Sequence, residues 1–167
     1  MAQKRQNTVV RRQQIINAAR KIIIKHGSEH VTVGRIAKEV GISEAAIYRH
    51  FKSKKDILSL LADDIEETLI GDTNKAITGS NTPLEILDSV LRSHLSAVEQ
   101  RRGISFLVIA EIISLGDKKL NKKVSETINK YIGLLTAILS EGVKGGEVRE
   151  DIDLDGAATL LFSMMLY

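Results

Sequence analysis

The stretch TVGRIAKEVGISEAAIYRHFKSK, residues 32–54, decides the fold. It reads as two short helices joined by a tight turn and followed by the start of a third. Thr32 caps the first helix by offering its hydroxyl to an orphan backbone N–H. Ile36, Ala37 and Val40 then recur at helical spacing on one apolar face. Gly41 falls where the chain must leave that helix, a position favouring a residue that tolerates positive φ. Ser43 caps a second helix, Glu44 to Phe51, in which Ala46, Ile47 and Phe51 pack inward. This is the layout of a helix-turn-helix, whose second helix enters the major groove of DNA.

The charge distribution agrees. The net charge is only +3, but residues 1–55 hold 13 Lys or Arg against 3 Asp or Glu, a net of +10, while residues 56–167 carry a net of −7. A split of that size assigns a polyanionic partner to the first part alone. A solvated basic helix face would explain the excess less well, because the excess coincides with the helix-turn-helix. The chain has 167 residues, is 43% hydrophobic and 27% charged, and contains one proline and no tryptophan, a composition suited to helices. Without cysteine it has neither disulfides nor thiolate metal sites. No apolar run approaches the roughly 20 residues that span a bilayer. The first residues lack the apolar core of a secretory signal, so a cytoplasmic location is the expectation.

Outward from the motif the periodicity predicts an all-α protein. A first helix runs from about Thr8 to His26 with Ile15, Ile16, Ala19, Ile22 and Ile23 as its stripe; residues before Thr8 are expected to be disordered. Ser53 to Asp56 has capping-box form and opens a fourth helix reaching about Lys75, with residues 71–82 weakly helical at best. Thr82-Pro-Leu-Glu85 opens a fifth, to about Glu99. Ile104 to Leu115 is apolar almost all round, which predicts burial on most sides. A seventh helix runs from about Lys119 to Glu141, and a last one begins near Asp153 and carries an apolar tail to Tyr167. That uncapped end predicts either a truncated chain or a helix buried against a partner.

On the first-helix pattern Ile-Ile-x-Ala-Ala, the segment Thr32 to Ser43 and the run Ala-Ile-Tyr-Arg-His-Phe-Lys-Ser-Lys, the chain resembles the tetracycline-repressor (TetR) family of transcription regulators. The specific resemblance covers roughly residues 8–60; beyond Thr82 it is architectural. It implies a helix-turn-helix DNA-binding domain at residues 1–55 and a helical ligand-binding and dimerisation domain at 56–167. The family's chains are usually somewhat longer, with a further helix at the dimer interface, which implies that the second domain is incomplete here.

In such a docking Tyr48 packs its ring on a sugar or thymine methyl and His50 and Lys54 lie near the backbone, with Lys54 holding a phosphate beside the N-terminus of the fourth helix. Thr32, Val33 and Gly34 do the same at the start of the second helix. Base reading falls to Ser43, Glu44, Ala45 and Arg49. Each has a plainer reading: Tyr48 as a semi-buried aromatic, His50 as a surface or core histidine, Glu44 as a favourable charge in a first turn.

In the acidic part, Leu160, Leu161, Met164 and Met165 are candidates for a homodimer interface, or equally for an internal core stripe. A ligand would sit among helices four to seven, with Phe106, Glu111 and Tyr131 as candidate lining; the two aromatics are as readily core. Glu111, in an apolar helix, needs a partner: a cationic ligand, or, the favoured reading, an internal Arg92, His94 or lysine. Apolar walls imply a small apolar or amphipathic effector. The partners expected are therefore palindromic double-stranded DNA, such an effector and a second copy of the chain, without a membrane, metal or cofactor. Together they describe a ligand-responsive repressor in which the effector shifts the population away from the DNA-competent state. The main alternative is a non-specific or architectural DNA-binding protein on the same fold without an effector. An enzyme is disfavoured, since His26, His30, His50 and His94 lack ligand spacing and no phosphate loop or nucleophile motif occurs.

Overall fold

The computed structural model describes residues 2–49, 51–79, 82–101 and 103–164. Among these every regular element is helical: α1 (Ala2–His26), a single 3-10 turn (Ser28–His30), α2 (Val33–Val40), α3 (Glu44–Tyr48), α4 (Lys54–Gly79), α5 (Pro83–Arg101), α6 (Ile104–Leu115), α7 (Lys118–Lys144) and α8 (Leu154–Met164). The all-α class expected from the periodicity is what the chain adopts. The helices form two compact units, Met1–Asp63 with Arg102–Asn121, and Asp64–Arg101 with Lys122–Tyr167.

The first unit is built on α1, which buries Ile15, Ile16, Ala19, Ile22 and Ile23 and packs on α2 and α6, while α2 packs on α3. Ile36, Ala37, Ile47, Ile57, Leu58 and Leu61 are among the other buried apolar residues of this unit. Glycine is needed at Gly41 for its conformation: φ is +76°, and the backbone N–H groups of Gly41 and Ile42 both close on the Ala37 carbonyl at 3.0 Å.

In the second unit Ala76 of α4, Leu87 and Val90 of α5, Tyr131, Leu135, Ile138 and Leu139 of α7, and Ala158 and Phe162 of α8 form one buried cluster. The fifth helix starts on a reciprocal capping box: Glu85 N–H donates to Thr82 Oγ1 (3.3 Å) and Thr82 N–H to Glu85 Oε2 (3.2 Å).

Several expectations need correction. The residues ahead of Thr8 are helical rather than disordered, since the segment contains good helix formers and no glycine or proline. α4 continues to Gly79 instead of fading after Lys75, because Ala76 is anchored in the second core and the Thr73 hydroxyl returns to the Leu69 carbonyl at 2.8 Å. α3 ends at Tyr48, short of Phe51. α6 is not buried on most sides: Ile104, Val108 and Ile112, four residues apart, face inward, whereas Leu107, Ile113 and Leu115 are exposed. A helix with one packed neighbour stripe leaves its other side open whatever that side's composition.

Candidate DNA interface and effector cavity

The helix-turn-helix is fixed by its caps. Thr32 Oγ1 accepts from Arg35 N–H and Ser43 Oγ from Ala46 N–H, both at 3.2 Å. Ile47 is fully buried, so the rest of α3 is oriented by that one side chain. The opposite face presents Glu44, Ala45, Tyr48 and Arg49 to solvent, with Ser43 also exposed at its start and Tyr48 at 49% exposure. Thr32 is exposed at the head of α2, but Val33 is buried, which leaves only its backbone N–H for an external partner. Gly34 lies under the Glu44 carboxylate; a Cβ there would stand 2.8 Å from Glu44 Oε1. His50 lies outside the described residues.

Lys54 is differently engaged. Its ammonium bonds Glu111 Oε1 of α6 at 2.6 Å and lies 3.5 Å from the Glu29 carbonyl, while Ser28 Oγ donates to Glu111 Oε2 at 2.8 Å. The neighbouring Lys55 pairs with Asp117 Oδ2 at 2.8 Å, and Asp117 Oδ1 caps α7 through the N–H groups of Lys119 (3.0 Å) and Leu120 (3.1 Å). The Lys54 ammonium chiefly, and Ser28 in lesser measure, hold the Glu111 carboxyl below the ordinary carboxylate range; Lys55, helped by the Leu120 N–H, does the same for Asp117. No local pattern joins Ser28 to Glu111 across 83 positions of sequence, and Ser28, Lys55 and Asp117 carried no signal of their own.

The second unit contains a narrow cleft, enclosing about 20 Å³, walled by Leu69, Thr73, Val90, His94, Ala97 and Tyr131, with Thr68, Asp72 and Ser93 also on its lining. Tyr131 stands edge-on to Phe162, ring centroids 6.0 Å apart, and 6.3 Å from the His94 ring. Burial, opposed by a hydrogen bond with the Thr73 side chain, pushes the Tyr131 phenol up to about 12. Of the three lining candidates from the sequence, Tyr131 borders this cleft; Phe106, half-buried in the first turn of α6, and Glu111 belong to the other unit. On α8, Leu160 (61%) and Met164 (65%) are exposed and Leu161 packs partly on the internal cluster; Met165 lies outside the described residues.

Residues 15–61 match the family described as "Bacterial regulatory proteins, tetR family", and residues 63–166 match "YsiA-like protein, C-terminal region". The chain belongs to the TetR family of DNA-binding transcription regulators. Among its relatives is the "Fatty acid metabolism regulator protein" of Bacillus subtilis (strain 168), 30% identical over 149 residues, which cover 89% of this chain and 76% of the relative. The "Nucleoid occlusion factor SlmA" of Edwardsiella ictaluri (strain 93-146) is 28% identical over 167 residues, 99% of this chain and 82% of that protein. The structure of the transcriptional regulator FadR from Bacillus subtilis in complex with stearoyl-CoA superposes with a TM-score of 0.78 at 29% identity, covering 92% of this chain and 82% of that one. Among the described residues of this TetR-family regulator no helix is long and apolar enough to cross a membrane.

Proposed function

We propose that this regulator is a cytoplasmic, ligand-responsive repressor that docks on a palindromic operator as a homodimer. Residues 1–55 would carry DNA binding and residues 56–167 effector binding and dimerisation. The observation that carries the DNA reading is the solvent face of α3, where Glu44, Ala45, Tyr48 and Arg49 stand together on a helix pinned from behind by Ile47. In this reading Ser43, Glu44, Ala45 and Arg49 meet base edges, and Tyr48, His50, Lys54, Thr32 and the backbone of Val33 and Gly34 meet sugar and phosphate. The exposed Leu160 and Met164, with Leu161 and Met165, form part of the face that meets the second copy. Selection of bound duplexes from a random library tests this directly. A palindromic site recovered by the natural chain, and at least tenfold weaker binding to it by Tyr48→Ala, is the expected result. Binding with a steep salt dependence and no enriched sequence would support an architectural DNA-binding protein instead.

For the effector we propose a long-chain acyl-CoA. The likeness to a FadR that binds stearoyl-CoA supports this, and so does the apolar cleft with hydroxyl groups at its side. Its enclosed space, about 20 Å³, is far below the ~300–1,000 Å³ usual for small-molecule sites, so an acyl chain must part the α4, α5 and α7 walls to enter. Parting them displaces α4, the helix that also begins at Lys54, and ligand preference for that displaced state is what lowers DNA affinity. Titration of the protein–duplex complex with palmitoyl-CoA should release DNA by at least fivefold in affinity, while free CoA should leave it unchanged. Equal DNA affinity with and without saturating palmitoyl-CoA would refute the assignment.

A further inference from the structure

We propose that Glu111 and a DNA phosphate compete for one ammonium group, that of Lys54, so that Glu111 is a positioning residue that sets how much positive charge the head of α4 offers the duplex. The inference rests on the reading of the helix-turn-helix unit as the DNA-docking face. Both oxygens of Glu111 are engaged: Oε2 accepts from Ser28 Oγ at 2.8 Å and Oε1 meets Lys54 Nζ at 2.6 Å. Ser28, just after the end of α1, therefore aims the carboxylate at the lysine.

The pair is partly withdrawn from water, its side chains 27% and 16% exposed, so its attraction is less screened than that of a surface ion pair. Lys55 is drawn in the same direction by Asp117. A helix N-terminus favours an anion, and the α4 start already has one in Asp56, whose Oδ2 accepts from the N–H groups of Lys52 (2.6 Å) and Ser53 (3.1 Å). In a unit whose first 55 residues carry a net of +10, three carboxylates thus converge on the few residues around Lys54. A lysine neutralised by a carboxylate releases no counterion from DNA; only one freed from it does.

The test needs no operator, because non-specific binding is dominated by phosphate contacts. The full chain is titrated onto a mixed-sequence duplex across a salt series. Glu111→Gln keeps the shape and the hydrogen-bonding oxygen but removes the charge. It should bind tighter at low salt, and its log K against log salt slope should steepen by about 0.9 per chain bound. Lys54→Gln alone should flatten the natural slope by less than about 0.9, the share of the ammonium that Glu111 leaves to phosphate, and the double variant E111Q/K54Q should lose the gain. A gain that survives in the double variant reflects general charge removal and overturns the proposal, as does a folded E111Q with the natural slope. Should E111Q fail to fold, Glu111→Met, which removes the charge with a flexible side chain of similar length, is read in the same way, and a folded variant with the natural slope is again a refutation. Failure of the natural chain to bind any duplex would remove the docking reading, and this proposal with it; natural binding with an unmoved E111Q removes the competition alone.

Discussion

Ile47→Ala is expected to lower the unfolding free energy by about 2–5 kcal/mol and to abolish duplex binding at temperatures where Tyr48→Ala is still fully folded. Ile47 is fully buried, and it is the one buried side chain α3 contributes among residues 44–48. A helix of five residues has no stability of its own, since nucleation alone outweighs its few hydrogen bonds. What holds α3 in place is therefore the Ser43 cap, the left-handed Gly41 before it and the burial of Ile47. Against a total stability of ~5–15 kcal/mol the loss is a large fraction. Tyr48→Ala, on the exposed face, should change the unfolding free energy by no more than about 0.5 kcal/mol. Urea unfolding followed by circular dichroism, paired with duplex titration, separates the two. Equal stability of I47A and the natural chain would mean that α3 is held by something other than its core residue.

Where the structure follows local chemistry, the sequence could be read closely. Thr32, Ser43 and the Thr82–Glu85 box are caps in the structure because their side chains close on backbone groups within three residues, a range that sequence displays. The α1 stripe is likewise legible, since a 3.6-residue period writes one face of the helix directly into the chain. The bounds of α4 were not. Residues 71–79 have weak helical preference, and they are helical because Ala76 and Thr73 are packed by α5 and α7 residues far along the chain. The reverse holds for α6, where uniform apolarity announced burial that only one stripe receives.

The functional surfaces divide the same way. The side-by-side exposure of Glu44, Ala45, Tyr48 and Arg49 follows from the register set by Ile47, and a helical wheel displays it. The partner of Glu111 could be posed as a question from sequence, because a carboxylate amid isoleucines demands a cation. Its answer, Lys54, lies 57 residues away and depends on how α6 crosses the start of α4. The cleft has the same character: Thr73, His94 and Tyr131 come from three helices and share no spacing.

Tyr131 carries the second large effect, an alkaline one. Its phenol is held up to about 12, with burial as the main cause. In the unfolded chain a tyrosine ionises near ~10. A group whose folded value is raised contributes its full stability below the unfolded value and loses it as pH rises through the folded one. The fold should therefore be unaffected by the ionisation of this residue at neutral pH and lose up to about 2–3 kcal/mol between pH ~10 and ~12. Tyr131→Phe should cost about 1 kcal/mol at neutral pH, for the lost hydrogen bond with Thr73, and show a shallower decline over the alkaline range. Lysine deprotonation occurs in both proteins, so the difference between their curves isolates the phenol. Parallel curves would place Tyr131 in contact with water, and with it the wall of the cleft. An acyl chain seated against that wall excludes water further, so palmitoyl-CoA should delay the appearance of the buried tyrosinate in near-ultraviolet absorbance to higher pH. If the acyl chain instead leaves the phenol's titration untouched while still releasing DNA, the effector binds elsewhere, and the cleft is packing rather than a site.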